Sequence, residues 1–347
     1  MTARIALSVG CPAGVGPEVS VAAAAGERSA HVLLVGDAGA IEQAAKGRGL
    51  DAARIVRVVE PSAAWALPRG RIAVWQPTRD LPQRDRKPGA PTRASGTAQL
   101  AWIDAACDLV ARGGADALVT GPVSKEAIVR SGAASFRGHT EHLQQRLGAR
   151  EVVMAFWSPS LVTSLVTTHL PLARVPRAVT PSAVARATYW LAWLLANVSP
   201  KAPRVAVAGL NPHAGEGGLL GGEEKAAIVP GIVRARARLK AAHIDAAIDG
   251  PIPAESAFRL ALARSWDGVT AMYHDQATIP MKLTGFGDAV NVSLGLPIVR
   301  TSVDHGTAYD RAGTWTADAR GMKAAIGLAV KLRRGASRPD VKSPRGS

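Results

Sequence analysis

The 347-residue chain is short of aromatic side chains (4%) and has only two cysteines, Cys11 and Cys107. Few aromatics leave the core to aliphatic residues and alanine. The two cysteines are far apart and lack C-x-x-C spacing, which excludes a disulfide framework or a cysteine metal centre; both read as free thiols. No run approaches the roughly 18 apolar residues that a membrane span requires. The most apolar stretch, "ATYWLAWLLANV" at 187–198, lies between Arg186 and Lys201 and reads as a buried or interface helix. The N-terminus, "MTARIALSVG", has neither a long apolar h-region nor a cleavage-site pattern, so a cytoplasmic protein with no membrane association is expected. Acidic residues are also scarce, 27 against 42 Lys and Arg, for a formal net charge of +15. The final segment 331–347, "KLRRGASRPDVKSPRGS", has six basic residues against one Asp and so carries +5 of that excess. The other basic residues are scattered, with no aromatic-interleaved stripe or zinc-finger spacing. A nucleic-acid-binding module is therefore only a remote alternative, and an enzyme of anionic substrates suits the charge better.

Short runs rich in Val, Ile and Leu alternate with alanine-rich helical stretches: "RIALSVG", "HVLLVGD", "DALVTGPV", "VVMAF", "LVTSLVTTH", "RVAVAGL" and "GVTAMYHD". Strands without inside–outside alternation, each followed by a helix, predict a parallel sheet covered on both faces, an α/β/α architecture. Ligands of such sheets bind at the carboxyl ends of the strands. The segment 78–97, "TRDLPQRDRKPGAPTRASGT", reads as a long connecting loop, and the tail from about 331 as disordered.

Glycine is plentiful but carries no nucleotide fingerprint. In "SVGCPAGVGPE" (8–18), Gly10, Gly14 and Gly16 do not give G-x-G-x-x-G, and no G-K-[ST] follows. A tight strand-to-helix turn, with Pro17 near the helix start, competes with any phosphate role. In "TGPVSKEAI" (120–128), Ser124 is a candidate N-cap and Lys125 an uncommitted cation.

Three histidines, His169, His213 and His274, each follow a predicted strand. They fit either a shared divalent-metal site with open positions or three separately satisfied imidazoles; spacing does not decide between these. "FRGHTEHL" puts His139 and Thr140 in a polar turn before a helix, where Thr140 is a cap or both residues belong to an anion site at that helix start. Lys282, Asn291 and Arg300 follow at intervals of nine, and paired cations of this kind suit phosphate or carboxylate.

The blocks "PAGVGPE", "GHTEHL", "TTHLPL", "GLNPHAGEGG", "AMYHDQ" and "MKLTGFGDAVNVSLGLPIVRTSVDHGTA" closely resemble the 4-hydroxythreonine-4-phosphate dehydrogenase family of pyridoxal phosphate biosynthesis, in the same order over about residues 4–330. The resemblance implies a two-lobed α/β/α fold similar to the isocitrate and isopropylmalate dehydrogenases, with the active site in the interlobe cleft. It implies a nucleotide-binding lobe of residues 1–125 and 276–330, and a substrate, metal and dimerisation lobe of residues 126–275. A homodimer is implied, its active site completed across the interface. By the same resemblance His169, His213 and His274 bind one divalent metal (Zn, Mg, Co or Mn), one of them reaching in from the partner subunit. His139, Thr140, Lys282, Asn291 and Arg300 bind a small phosphorylated substrate. "VDHGTAYDRAG" is similar to the loop by which the decarboxylating dehydrogenases hold NAD, so Asp304, His305, Gly306, Thr307 and Ala308 are candidates for NAD or NADP.

The implied reaction oxidises the C3 hydroxyl of 4-phosphooxy-L-threonine with NAD, and the resulting 3-keto acid decarboxylates to 3-amino-2-oxopropyl phosphate. Lys282, Asp275 and Asp249 are the candidates for the general base. The chain departs from the family's usual "GDPAG" or "GEPAG" by placing Cys11 at an acidic position near the cleft mouth. Ala277 and Thr278 stand where a Gly is common, and Trp315 stands where a Lys is frequent. These departures bear on substrate more than on reaction type. The alternative within the same chemistry is a paralogue acting on a phosphorylated sugar acid such as 4-phospho-erythronate, or on a carboxylated dihydrodiol.

Overall fold

The computed structural model describes residues 2–285 and 287–335. Two compact units emerge among the described residues: 2–150 with Leu296–Arg333, and Glu151–Gly295. The chain begins in the first unit with β1 (Ala3–Ser8), α1 (Gly16–Gly26), β2 (Ala30–Val35), α2 (Ala38–Gly47), β3 (Ile55–Val58) and β4 (Ile72–Trp75). It continues with α3 (Arg93–Ala111), β5 (Ala117–Thr120), α4 (Lys125–Arg130) and α5 (His139–Arg146). The second unit holds β6 (Val153–Trp157), β7 (Val162–Leu165), α6 (Val175–Ala178), α7 (Pro181–Val198), β8 (Arg204–Ala208) and α8 (Val229–Ala241). It ends with β9 (Ala247–Ile252), α9 (Ala254–Leu262), β10 (Gly268–Ala271), α10 (His274–Gly285) and β11 (Val290–Leu294). The first unit then resumes with β12 (Arg300–Val303) and α11 (Arg320–Gly335).

The first unit's strands run in the order β3-β4-β2-β1-β5-β12, and every pair is parallel. Strands β1 and β5 are buried along almost their whole length, which is why they read as continuous apolar runs. The second unit has the order β11-β6-β7-β10-β8-β9. Here the expectation of a purely parallel sheet fails, because β6 is antiparallel to both β7 and β11. Only four residues separate β6 from β7, too few for a parallel crossover, so the chain turns back as a hairpin. The remaining pairs, β7 with β10, β10 with β8 and β8 with β9, are parallel.

The unit boundaries also differ from those expected. Residues 126–150 belong with the first unit, because α4 and α5 are fastened to α3. A Cβ at Gly96 would lie 2.1 Å from the Ala127 carbonyl oxygen, so α3 and α4 touch backbone to backbone. His142 and Arg146 of α5 both reach Asp104 of α3, at 2.6 and 3.2 Å. Residues 276–295 belong with the second unit. Strand β11 pairs with β6, and Ala277 and Met281 of α10 are buried in a core with Phe156, Leu161, Leu165 and Ala271.

Capping follows the sequence closely. Thr180 opens α7 by accepting from the Ala183 amide, and Pro181 sits in its first turn. The helix buries Trp190, Leu191, Leu194 and Leu195, each contributing about 1.5–3 kcal/mol relative to exposure. No helix among the described residues is long and apolar enough to cross a membrane. The expected 78–97 loop ends earlier than its composition suggests, since Thr92 and Ser95 form a capping box that starts α3 at Arg93. The expected tail is likewise shorter: residues 331–335 complete α11, and 336–347 lie outside the described residues.

Candidate active-site residues in the two units

In the first unit, the polar residues gather where β5 and β12 meet α4 and α5. Arg300, the first residue of β12, is 3% exposed, and its Nη2 donates to the Thr120 hydroxyl at the end of β5 at 2.7 Å. Burial lowers the guanidinium to about 10, while the carboxylate of Glu141 favours its charge; it remains a cation at neutral pH. His139 opens α5. Its Nε2 is closed off from solvent without a hydrogen-bond partner. Burial, then the electrostatic influence of Arg300, His142 and Lys125, holds this imidazole well below the usual histidine range, so it is neutral. Thr140, 8% exposed, lies in the same first turn. Thr140 does not cap the helix, because the N-cap is Gly138, which has no side chain. The expected Ser124 cap of α4 is present, accepting from the Ala127 amide at 3.2 Å. A neutral donor, a buried cation and a helix start together suit an anion.

The segment 304–308 lies against the turn after β1. Thr307 O accepts from the Val15 amide at 3.0 Å, and a Cβ at Gly14 would come within 2.7 Å of that same oxygen. Gly14 is therefore there for close approach, as is Gly16, whose Cβ would meet Val9 O at 2.1 Å. Pro17 sits in the first turn of α1, as its position in the sequence suggests. Cys11 is buried, with its Sγ 3.6 Å from the Tyr309 hydroxyl. Burial raises the Cys11 thiol and takes the Tyr309 phenol to about 12. Of the other segment residues, Asp304 is half-buried while His305 and Gly306 are exposed; His305 Nδ1 donates to Gly306 O at 2.9 Å. Ala308 adopts a positive φ of 44° and its carbonyl accepts from Arg311 and Ala312, which curls the segment into a turn.

In the second unit, β7 and β10 continue to pair beyond their formal ends. The Val166 amide donates to Ala271 O at 2.8 Å, and both the amide and the hydroxyl of Thr167 donate to Met272 O. This brings His169 and His274 together, with ring centroids 5.5 Å apart. Asp275 Oδ1 accepts from His274 Nδ1 at 2.7 Å, which leaves Nε2 for a ligand. Two adjacent imidazoles, one backed by a carboxylate, form a donor set suited to a divalent ion. Among the described residues no three His, Cys, Asp or Glu side chains are gathered for a metal. His213 is exposed on the turn after β8 and does not join the other two within the chain. Gln276 links the ends of β10 and β8, accepting from the Met272 amide at 2.7 Å and donating to Gly209 O at 2.9 Å.

The remaining candidates are dispersed. Lys282 is exposed on α10 and Asn291 is half-buried on β11. Asp249, on the edge strand β9, faces Arg236 at 3.8 Å. Gln276, Tyr309 and Glu224 are contacts that sequence reading did not single out. Gln276 lay inside the quoted "AMYHDQ", whereas Glu224 looks like one of a pair of surface acids until its burial is seen.

The model of the family "Pyridoxal phosphate biosynthetic protein PdxA" matches residues 28–329. A 4-hydroxythreonine-4-phosphate dehydrogenase from Desulfosudis oleivorans is 42% identical over 330 residues, covering 94% of this chain and 95% of the relative. The crystal structure of a protein of that name from Klebsiella pneumoniae superposes with a TM-score of 0.80 at 31% identity, covering 96% of this chain and all (100%) of the other. A terephthalate 1,2-cis-dihydrodiol dehydrogenase from Burkholderia xenovorans is more distant, with a TM-score of 0.67 at 29% identity and coverage of 95% and 98%. By the extent of these matches along the sequence and the fold, the chain belongs to the PdxA family of pyridoxal phosphate biosynthetic proteins.

Proposed function

We propose that the chain is a 4-hydroxythreonine-4-phosphate dehydrogenase that uses NAD or NADP and one divalent metal ion. It oxidises 4-phosphooxy-L-threonine at C3, and the 3-keto acid loses its carboxylate as CO2 to leave 3-amino-2-oxopropyl phosphate. The observation that carries this reading is the His169–His274 pair, 5.5 Å between centroids, with Asp275 on the outer nitrogen of His274.

A Zn, Mg, Co or Mn ion held there would supply positive charge to stabilise the developing alkoxide, and a bound NAD or NADP would supply the hydride acceptor. His169 and His274 act as neutral nitrogen donors, and His213 of a second copy of the chain completes the set in a homodimer. Asp275 fixes the tautomer and orientation of His274 by holding its Nδ1 proton. Arg300 supplies a fixed cation and His139 a neutral ring that accepts or donates without adding charge, so together with Thr140 they take up the substrate's anionic group. By the family resemblance, Asn291 and Lys282 are also assigned to substrate binding. Asp275 is engaged by His274 and Asp249 faces Arg236, which leaves Lys282 as the group we assign to hold the C3 hydroxyl proton. Residues 304–308 carry the nucleotide.

The buried Arg300 and its neighbour His139 favour a phosphorylated substrate over a carboxylated dihydrodiol, which lacks a dianionic group. The test is NADH or NADPH formation, followed by absorbance, with 4-phosphooxy-L-threonine, 4-phospho-erythronate and a carboxylated dihydrodiol offered in parallel. Turnover of the first is expected, and its absence beside turnover of either other acid would reassign the substrate. Loss of both metal and turnover in His274→Ala is expected; a variant that keeps both would remove the metal assignment.

A further inference from the structure

His213 sits at the start of five consecutive residues in the left-handed region: His213 (φ 52°), Ala214 (53°), Gly215 (78°), Glu216 (43°) and Gly217 (68°). Three of the five carry side chains, and each L-residue held there brings its Cβ against the following carbonyl. Such a turn persists only where its surroundings over-determine it, and conformations of this kind concentrate at functional sites. The surroundings here centre on one buried carboxylate, Glu224, with Glu223 Oε2 also accepting from Asn211 Nδ2 at 2.8 Å.

Glu224 is 4% exposed, and both of its oxygens are engaged by amides at the base of the turn. Oε1 accepts from the backbone amides of Leu210 at 2.9 Å and Asn211 at 2.8 Å, while Oε2 accepts from Asn211 Nδ2 at 3.0 Å. The turn is wrapped on this carboxylate: a Cβ at Gly215 would lie 2.6 Å from Oε2, and one at Gly209 would lie 3.4 Å from Oε1. Glu224 also begins a π-helical stretch, Glu224–Ile228, ahead of α8. Irregularities of this type frequently accompany functional sites. The next residue, Lys225, donates to Gly217 O and fastens the far end of the turn. At the near end, Gln276 ties Gly209 to Met272, two residues before His274.

We propose that Glu224 is the positioning residue for His213, its buried carboxylate acting as the template on which the left-handed turn presents that imidazole. The proposal rests on the reading of His213 as a metal donor. It does not place Glu224 in contact with metal or substrate.

The test compares wild type, Glu224→Gln, Glu224→Ala and His213→Ala as full-length proteins, using titration with Co2+ alone, hydrogen exchange of the Leu210 and Asn211 amides, and thermal midpoint. In Glu224→Ala, Co2+ affinity is expected to fall tenfold to a hundredfold, as when the partners of metal ligands are removed. Exchange of the two amides should accelerate while β8 and α8 stay protected. Glu224→Gln keeps the acceptor for the two amides but sets its NH2 against Asn211 Nδ2, so an intermediate affinity is expected. Wild-type Co2+ affinity in Glu224→Ala beside its loss in His213→Ala would overturn the positioning role. Exchange accelerated equally throughout β8 and α8 would overturn it too, by reducing Glu224 to a general stabiliser. Undiminished affinity in His213→Ala would instead remove the metal assignment of His213, and the functional part of the proposal with it.

Discussion

Arg300 Nη2 donates to the Thr120 hydroxyl at 2.7 Å, joining the first residue of β12 to the last residue of the neighbouring parallel strand β5. A buried guanidinium held in this way is aimed before any ligand arrives. Thr120→Val removes this acceptor from the buried guanidinium, at a cost of about 1–3 kcal/mol. The expected result is a lower chemical-denaturation midpoint together with a higher KM for the phosphorylated substrate. Arg300→Lys is expected to raise KM more than tenfold, since a single ammonium replaces a planar fork; unchanged KM in both variants would detach Arg300 from substrate binding.

His139 makes stability depend on pH in a defined direction. Its folded-state pKa is held well below 6.5, so the unfolded chain binds the extra proton first as the pH falls. The stabilising contribution is complete above about pH 6.5 and is lost progressively below it, down to the folded-state pKa. Thermal midpoints measured from pH 8 to pH 5 should therefore fall more steeply in wild type than in His139→Gln. Parallel profiles for the two proteins would show that His139 titrates as an ordinary exposed histidine.

Both cysteines are buried and free, with Cys11 raised by burial and Cys107 pushed up to about 12 by burial and then by the charge of Asp108. Since the thiolate is the reactive form, neither should react with an aromatic disulfide reagent at pH 8 in the native state. Both should react once the chain is unfolded. Fast native labelling of one thiol, lost in Cys11→Ser, would mean that Cys11 is accessible despite its packing on Tyr309.

Gly14→Ala tests the contact between the first turn and the proposed nucleotide segment. The new methyl would begin 2.7 Å from Thr307 O, a backbone atom that moves only with its segment. A cost of about 1–3 kcal/mol from overpacking is expected, along with a raised KM for NAD. Affinity for Co2+, which belongs to the other unit, should not change. An unchanged KM for NAD would show that residues 304–308 do not carry the nucleotide.

Most of the strands were legible because burial on both sheet faces favours Val, Ile, Leu and Ala, which fill most of β1 and β5. Helix starts were legible because their signals are local: Ser124 and Pro17 act within four residues of their own position. The antiparallel setting of β6 was not legible, since a buried run looks the same in either direction and only the short connection to β7 betrays the hairpin. The pairing of His169 with His274 depends on continued hydrogen bonding of Thr167 with Met272, 105 residues apart in sequence. Spacing carries no trace of such a contact, and the family resemblance was needed to suggest it. Glu224 was invisible for the opposite reason: its charge suggested solvent, while its amide partners lie 13 and 14 residues earlier in a turn whose left-handed geometry no residue type announces.

The first unit is interrupted in sequence, with β12 and α11 arriving only after the whole of the second unit has been made. In the first unit's own parallel ladder, β12 is the strand that covers β5, and Thr301 of β12 is anchored by its hydroxyl to Ala325 O of α11. A ribosome that has released residues 1–150 has therefore produced a sheet with an open, apolar edge at β5 and no Arg300 beside Thr120. Exposed edges of that kind recruit other chains. During synthesis, the half-made unit depends on prompt arrival of the last strand, and nonsense truncations after the second unit are expected to yield aggregates rather than a partly active enzyme.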